Sequence, residues 1–242
     1  MDKSSEHSAF WSKVAGKYDS VVDFQIGPDT RAMVRDRLAG EGRLGNVVEF
    51  GCGTGFYTGV LAGRADRLVA TDLASGMLSV AKQNTKATNV TFQQEDCQRT
   101  SFPDSAFDAV FLGLVLHFTN PPQALAEMRR ILKPCGILII LNPDPHALRG
   151  WDRLRWLVRG YFYGITRYRT KPPKGLLKNL LTEHQLTDLL VQSSFKISST
   201  EAIRNTSQSY NIPIEYIKTV KNCVDATPRM NTALSLTLVH SI

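Results

Sequence analysis

A glycine-rich turn at the end of a short apolar segment constrains the fold of this chain more than any other feature. Residues 47–50 (VVEF) form that segment, and Gly51, Gly53 and Gly55 follow at every second position. Glycine has no Cβ atom, so the backbone of such a turn can approach a ligand closely. A helical pattern then begins at Phe56. A strand that enters a glycine-rich turn and then a helix is typical of nucleotide-binding α/β sheets.

Strand and helix patterns alternate along residues 45–141. The predicted strands are Asn46–Phe50, Arg67–Thr71, Val90–Gln94, Ala106–Gly113 and Ile137–Leu141. The predicted helices are Phe56–Ala62, Gly76–Asn84 and Pro122–Leu132. Strands that are separated by helices form right-handed βαβ units. The alternation therefore predicts a mostly parallel sheet with helices on both faces.

The alternation ends after the fifth predicted strand. Leu148–Ile165 has the pattern of an amphipathic helix, and a capping box at Thr182 begins a helix that ends at Ser193. The last predicted elements are a strand at Lys196–Ala202, a helix at Ile214–Cys223 and a strand at Ala233–His240.

Positive charge is concentrated in one segment. The 242-residue chain has a formal net charge of +7. Nine basic residues and one acidic residue lie between Arg149 and Lys178, so this segment carries +8 and the rest of the chain −1. Such a local surplus indicates a specific role for the segment rather than general solubility.

The sequence predicts neither secretion nor a membrane span. Met1–Ser8 lacks the apolar core of a signal peptide, and the longest apolar run, Ile137–Leu141, is far shorter than the roughly 20 residues of a transmembrane helix. The chain contains four cysteines: Cys52, Cys97, Cys135 and Cys223. Their spacing fits neither a metal site nor a disulfide framework. We therefore expect a cytoplasmic protein without a bound metal.

Carboxylates lie at the ends of the first three predicted strands. Glu49 lies two residues before Gly51, Asp72 follows the second strand, and Asp96 follows the third. Open α/β sheets bind ligands outside the carboxyl ends of their strands. Carboxylates there accept hydrogen bonds from an ammonium group, a ribose diol or an exocyclic amine, whereas they repel phosphates. The pattern predicts a site for a nucleoside with a cationic tail.

A dinucleotide site is the main alternative, because Asp72 also lies about 20 residues beyond the turn. The dinucleotide motif requires glycine at position 56, where this chain has Phe56. Asp96 has no role in such a site either. Each acid taken alone could instead be a solvated strand end or a helix cap.

The chain resembles class I S-adenosylmethionine-dependent methyltransferases that act on small molecules. The resemblance is carried by EFGCGTG (49–55), TDLASGML (71–78), EDC (95–97), FPDSAFDAVF (102–111) and ILKPCG (131–136). It implies a single domain with a Rossmann-like sheet of seven strands, the last of them antiparallel. Residues 1–44 would form an N-terminal helical lid, 45–141 the cofactor-binding core, 142–181 a helical lid insertion after strand 5, and 182–242 the closing helix and strands.

The resemblance also implies the cofactor, S-adenosylmethionine, with S-adenosylhomocysteine as its product. By the same resemblance the cofactor would contact Tyr18, Glu49, Gly51, Gly53, Gly55, Asp72, Leu73, Asp96, Cys97 and Leu114. Glu49 would hold the amino group of the cofactor, Asp72 its ribose hydroxyls, and Asp96 its adenine amino group.

His117, just after the fourth predicted strand, is the candidate general base, because imidazole titrates near neutral pH. A purely structural role is the alternative. We expect the acceptor to contact Trp11, Tyr18, His117, Trp151 and Tyr161. The acceptor atom could be oxygen, nitrogen, sulfur or carbon.

The basic, aromatic segment 149–178 allows several interpretations. It could cover a small, partly hydrophobic acceptor, which is the function we predict. It could lie on a membrane and present a lipid or quinone-like acceptor, or bind RNA. It could also pack on the core with its arginines solvated. A protein that binds S-adenosylmethionine without catalysis is a further alternative, and the sequence leaves the oligomeric state open.

Overall fold

The computed structural model describes residues 3–166, 179–205 and 212–223 of the chain. Its strands are β1 (Gly45–Phe50), β2 (Ala65–Asp72), β3 (Val90–Gln94), β4 (Phe107–Gly113), β5 (Leu132–Pro143), β6 (Phe195–Ile203) and β7 (Ile214–Lys221). They form one sheet in the order β3-β2-β1-β4-β5-β7-β6. Strands β1 to β5 pair in parallel, whereas β7 is antiparallel to both β5 and β6. The predicted fold class, with an antiparallel last strand, is confirmed.

Helices cover both faces of this sheet. In chain order they are α1 (Lys3–Val14), α2 (Tyr18–Ile26), α3 (Pro28–Ala39), α4 (Thr58–Ala62), α5 (Ser75–Asn84), α6 (Pro121–Ile131), α7 (Gly150–Thr166) and α8 (Glu183–Gln192). The capping box predicted at Thr182 begins α8. The Thr182 hydroxyl accepts a hydrogen bond from the Gln185 amide, and the Gln185 side chain accepts one from the Thr182 amide.

Alternating strand side chains build two apolar layers, one on each face. On one face Val48, Val110 and Ile140 pack with Leu125 and Met128 of α6. The other face packs on α3 and α4. Because neighbouring side chains of a strand point to opposite faces, apolar runs of this kind require helices on both sides. All five parallel strands then end at the same edge of the sheet, where a ligand site can form.

The helix predicted at Ile214–Cys223 is wrong, because residues Ile214–Lys221 form β7. Ile214, Ile217 and Val220 have the three-residue spacing of a helix face. The strand lies between β5 and β6 with both faces largely buried, so the two-residue alternation of a half-exposed strand is absent. The strand predicted at Ala233–His240 lies outside the described residues.

A disulfide joins Cys135 and Cys223, whose Cα atoms are 4.7 Å apart. The cysteine spacing gave no indication of this pair, because 88 residues separate its members. The antiparallel pairing of β7 with β5 places Ile137 opposite Val220, which brings the two cysteines together. Cys52 and Cys97 are buried thiols.

The segment between β5 and α8 begins and ends beside the same edge of the sheet. The Asn142 side chain donates to the Leu181 carbonyl at 2.9 Å, and the Asn179 side chain donates to the Thr119 carbonyl at 2.5 Å. The first bond ties together the two ends of the predicted insertion, which contains α7, and the second ties its C-terminal end to the turn after β4. In the described ranges, the helices fall short of the length and apolar content needed to cross a membrane.

Candidate active site

A cavity of about 760 Å³ lies at the carboxyl ends of the parallel strands. Several residues of the predicted cofactor site line it: Tyr18, Gly51, Gly53, Asp72, Leu73, Asp96, Cys97 and Leu114. Trp11 and Tyr18, both predicted to contact the acceptor, line it as well. Glu49, Gly55, His117 and Trp151 are not among the lining residues. The side chain of Tyr161 lies outside the described part of the structure.

The turn after β1 can approach a ligand because its glycines leave room that other residues would fill. Gly51 and Gly53 have φ values of +64° and +54°, in the left-handed region that favours glycine. A Cβ atom on Gly51 would lie 2.0 Å from Cγ2 of Val115, and one on Gly53 would lie 3.3 Å from the Tyr18 ring. Gly55 instead packs closely against Ala81 of α5.

Asp72 ends β2, and the backbone fixes the orientation of its carboxylate toward the cavity. Its Oδ2 accepts a hydrogen bond from the Gly53 amide at 2.9 Å, and its Oδ1 accepts one from the Ala74 amide at 2.8 Å. Burial raises the pKa of this carboxyl, and the two amides oppose that rise. Each oxygen has a second lone pair, so the carboxylate can still accept hydrogen bonds from a diol.

Asp96, beyond β3, is held by Gln98. Its Oδ1 accepts hydrogen bonds from the Gln98 amide at 2.9 Å and from the Gln98 side chain at 3.2 Å. Cys97 is buried beside it, and burial raises the pKa of its thiol. The thiol is therefore held in its neutral form, whereas Asp96 supplies a hydrogen-bond acceptor at the cavity wall.

Glu49 lies beneath the cavity with 2% of its surface exposed. Its Oε2 accepts a hydrogen bond from the Thr58 hydroxyl at 2.8 Å. Burial raises the pKa of this carboxyl to about 8, and the negative charge of Asp72 adds to the rise. The carboxyl is therefore mostly protonated at neutral pH in the empty site. Its contact with the cofactor amino group stays a prediction.

Aromatic side chains form another part of the cavity wall. The ring of Trp11 lies edge-on to Phe118 and to Tyr18, with centroid distances of 5.1 and 5.8 Å. Phe118 was missed by the sequence reasoning, as were His7 of α1 and Asn179, which also line the cavity. Phe118 lies next to His117 in the turn after β4, but the sequence does not show which of the two faces a ligand. This wall favours an apolar or aromatic ligand.

His117 is buried, and its ring stacks on Phe118 with 3.9 Å between centroids. Its Nδ1 has no hydrogen-bond partner, and burial lowers the pKa of the imidazole to about 3. The ring is therefore neutral and reaches the cavity only through Phe118. Its role as a general base stays a prediction. Trp151 lies on α7 with 78% of its surface exposed.

The charges around the cavity are predominantly acidic. Asp72, Glu95 and Asp96 line it, and none of the described lining residues is lysine or arginine. Negative walls attract a cationic ligand and repel an anionic one. Within the described ranges, no group of three or more His, Cys, Asp or Glu side chains is placed to hold a metal ion.

Comparisons with known proteins agree with this geometry. A family model described as a methyltransferase domain matches residues 48–140. A malonyl-[acyl-carrier protein] O-methyltransferase of Serratia marcescens is 34% identical over 143 residues, which cover 57% of this chain and 52% of that protein. A ubiquinone/menaquinone biosynthesis C-methyltransferase, UbiE of Cellvibrio japonicus, is 31% identical over 156 residues, 60% of this chain and 63% of that protein. The solved structure of a DhpI–SAH complex superimposes with a TM-score of 0.66 at 20% identity, covering 90% of this chain and 97% of that one.

The fold, the site and these matches identify a class I S-adenosylmethionine-dependent methyltransferase domain in this chain. More particularly, residues 48–140 match the methyltransferase domain model. The chain spans 52% and 63% of the two curated relatives, less than two thirds of their lengths. The likeness to DhpI, at 20% identity, concerns the fold.

Proposed function

We propose that this protein transfers a methyl group from S-adenosylmethionine to a small, neutral, partly apolar or aromatic molecule. The observation that carries the proposal is the composition of one cavity, whose lining combines a cradle of Gly51, Gly53, Asp72 and Asp96 with the aromatic rings of Trp11, Tyr18 and Phe118. The cradle suits the nucleoside, and the aromatic wall suits an uncharged acceptor.

The residues of the cradle fit S-adenosylmethionine. Asp72 has free acceptor capacity for the ribose hydroxyls, and Asp96 has it for an exocyclic amine. Gly51 and Gly53 line the cavity without a side chain of their own. When bound, the cofactor supplies an electrophilic methyl group on a sulfonium centre, and the acidic walls favour its positive charge.

The chemistry of the cavity walls distinguishes between acceptor classes. An acceptor with a carboxylate, such as the malonyl group in the name of the Serratia relative, would be repelled by Asp72, Glu95 and Asp96. A flat neutral ring of the quinone type, as in the name of the Cellvibrio relative, would meet the apolar surface that Trp11 and Phe118 form together in edge-to-face contact. RNA phosphates would meet the same acidic wall. We therefore place the neutral acceptor first.

The chain's own contribution to transfer is positioning and the exclusion of water. Trp11, Tyr18 and Phe118 hold the acceptor ring against the methyl group and keep solvent out. Where the acceptor loses a proton, His7 is an imidazole that lines the cavity and can receive it. His117 supports Phe118 from behind and acts as a positioning residue.

Two measurements test the proposal. Isothermal titration with S-adenosylhomocysteine should give binding to the wild type and a loss of at least about tenfold in affinity for Asp72→Asn. Asp36→Asn, an exposed acid on α3, is the matched control and should bind like the wild type. A labelled-methyl assay should then show transfer to neutral aromatic acceptors but not to a malonyl thioester or bulk RNA.

The outcomes separate the alternatives. Label only in the thioester or only in RNA would refute the neutral-acceptor proposal. Tight binding without label in any acceptor would support a non-catalytic binding protein. In the histidine pair, we expect His7→Phe to lower kcat. His117→Phe, which preserves the stacking on Phe118, should leave the pH profile unchanged. A pH profile altered by His117→Phe alone would restore His117 as the general base.

A further inference from the structure

Helix α7 turns its apolar side chains toward solvent. Trp151 is 78% exposed, and Leu154, Leu157 and Val158 are each about half exposed. Trp156, on the opposite side, is half-buried. An amphipathic helix that packs on its own protein presents its apolar stripe to the core. The orientation of α7 is the reverse, so this surface is built to be covered by something outside the described part of the chain.

The exposed residues form one continuous surface, which we call the α7 apolar face: Trp151, Leu154, Leu157 and Val158. Positions separated by three, four and seven residues lie on the same side of a helix. Arg153 within the helix and Arg149 just before it are exposed. The sequence around it, residues 149–178, carries a net charge of +8. The described surface therefore combines apolar groups with exposed arginines, within a segment whose sequence is strongly basic.

We propose that the α7 apolar face docks on the surface of an anionic lipid membrane. Tryptophan and aliphatic side chains enter the boundary between headgroups and acyl chains, and arginines beside them bind lipid phosphates. Each basic residue near an anionic bilayer strengthens the attraction. Charge complementarity thus selects anionic lipid as the occupant of this face.

Other occupants fit these observations less well. A second copy of this chain would bring the exposed arginines of one α7 region against those of the other, and the two would repel. RNA binds through phosphate contacts and base stacking, and the aliphatic Leu154, Leu157 and Val158 offer no stacking surface. Aliphatic groups beside arginines are the combination that a bilayer interface accepts.

The segment that contains α7 is connected to the cavity wall. The segment that contains α7 leaves the sheet at the end of β5 and returns at Asn179, which lines the cavity. Its two ends are tied by the Asn142–Leu181 hydrogen bond. The membrane proposal depends on the helix surface alone, and a membrane-resident apolar acceptor would be a consequence of it.

Vesicle sedimentation of the full chain tests the proposal without any activity measurement. We expect binding to vesicles of phosphatidylcholine mixed with phosphatidylglycerol, weak binding to phosphatidylcholine alone, and release at high salt. Trp151→Ser combined with Leu157→Ser should lower binding by about tenfold or more, because the apolar contact is lost. Arg149→Gln and Arg153→Gln should each lower it by about fivefold.

Matched controls come from exposed residues on other elements. Val191→Ser, on α8, and Lys196→Gln, on β6, remove an exposed apolar group and an exposed charge outside this face. Both should bind vesicles like the wild type, and all variants should retain the wild-type Tm. Absence of binding to anionic vesicles would overturn the proposal, as would equal losses in the face variants and the controls. Retained vesicle binding combined with loss of RNA binding or of self-association in the Trp151 variant would also overturn it.

Discussion

Replacement of Glu49 by glutamine tests whether burial beneath the cavity holds this carboxyl in its protonated form. The substitution keeps the size of the side chain and an oxygen that can accept the Thr58 hydrogen bond, which is 2.8 Å long in the wild type. It removes only the ability to ionise. Any change in stability with pH that disappears in the variant therefore belongs to the Glu49 carboxyl.

The expected magnitude follows from the pKa. In the unfolded chain Glu49 titrates near 4.5, whereas burial raises its pKa in the folded protein to about 8. The folded state thus binds the proton more tightly, and stability is fully present below pH 4.5 and lost as the pH rises through 8. The complete loss is about 5 kcal/mol, and about 3 kcal/mol of it has occurred at pH 7.

Urea unfolding of the empty protein between pH 5 and 8 measures this difference. Glu49→Gln should be more stable than the wild type by about 3 kcal/mol at pH 7, which corresponds to a Tm increase of roughly 10 °C. The advantage should shrink toward pH 5. If Glu49 also holds the cofactor amino group, S-adenosylhomocysteine should stabilise the wild type more than the variant.

A wild type as stable as the variant at pH 7 and 8, with parallel pH profiles, would refute the reasoning. The carboxyl would then be ionised in the folded protein, and a compensating positive group would have to lie beside it. Equal stabilisation of both proteins by S-adenosylhomocysteine would separately remove Glu49 from contact with the amino group. The two results are independent, because only the second depends on the cofactor.

Three further substitutions test a close backbone contact and two ion-paired side chains by urea unfolding. Gly51→Ala should lower stability by about 3 kcal/mol, since its methyl group would meet Val115 at 2.0 Å and its φ is +64°. Adding Val115→Ala should recover only part of this loss. Arg31→Met should cost about 2 kcal/mol and weaken cofactor binding, because buried Arg31 pairs with two aspartates of α2, the helix that carries Tyr18. Glu127→Gln should show the opposite pH dependence to Glu49→Gln. Burial raises the pKa of Glu127, but hydrogen bonds from the side chain of Arg130 and from Thr100 outweigh it and hold this pKa at about 2. The stabilisation by the Glu127 carboxylate is therefore present above pH 4.5 and lost toward pH 2. A neutral result in any of the three would contradict the contact concerned.

The core of the fold could be predicted because its signals are local. The signals are the glycine turn after the first strand and the acids at the ends of the first three strands, which follow one another closely in sequence. The parallel βαβ connections bring these strand ends to one edge of the sheet. Asp72 and Asp96 line the cavity for this reason. The capping box at Thr182 is equally local, and it begins α8 as predicted.

β7 and the disulfide could not be predicted in this way. A strand with both faces buried has no alternation, so the spacing of Ile214, Ile217 and Val220 suggested a helix. Its pairing with β5, far away in sequence, decides both its conformation and the meeting of Cys135 with Cys223.

The amino-acid sequence by itself determined the parallel strands of the sheet, the position of the ligand edge and the chemistry of the cofactor cradle, since each depends on neighbouring residues. Only the tertiary structure decided which side chains face the cavity. It turned Phe118 toward the ligand and His117 into the core, and it turned the apolar side of α7 outward. A side chain's direction depends on the elements packed around it, and residues distant in sequence supply those elements.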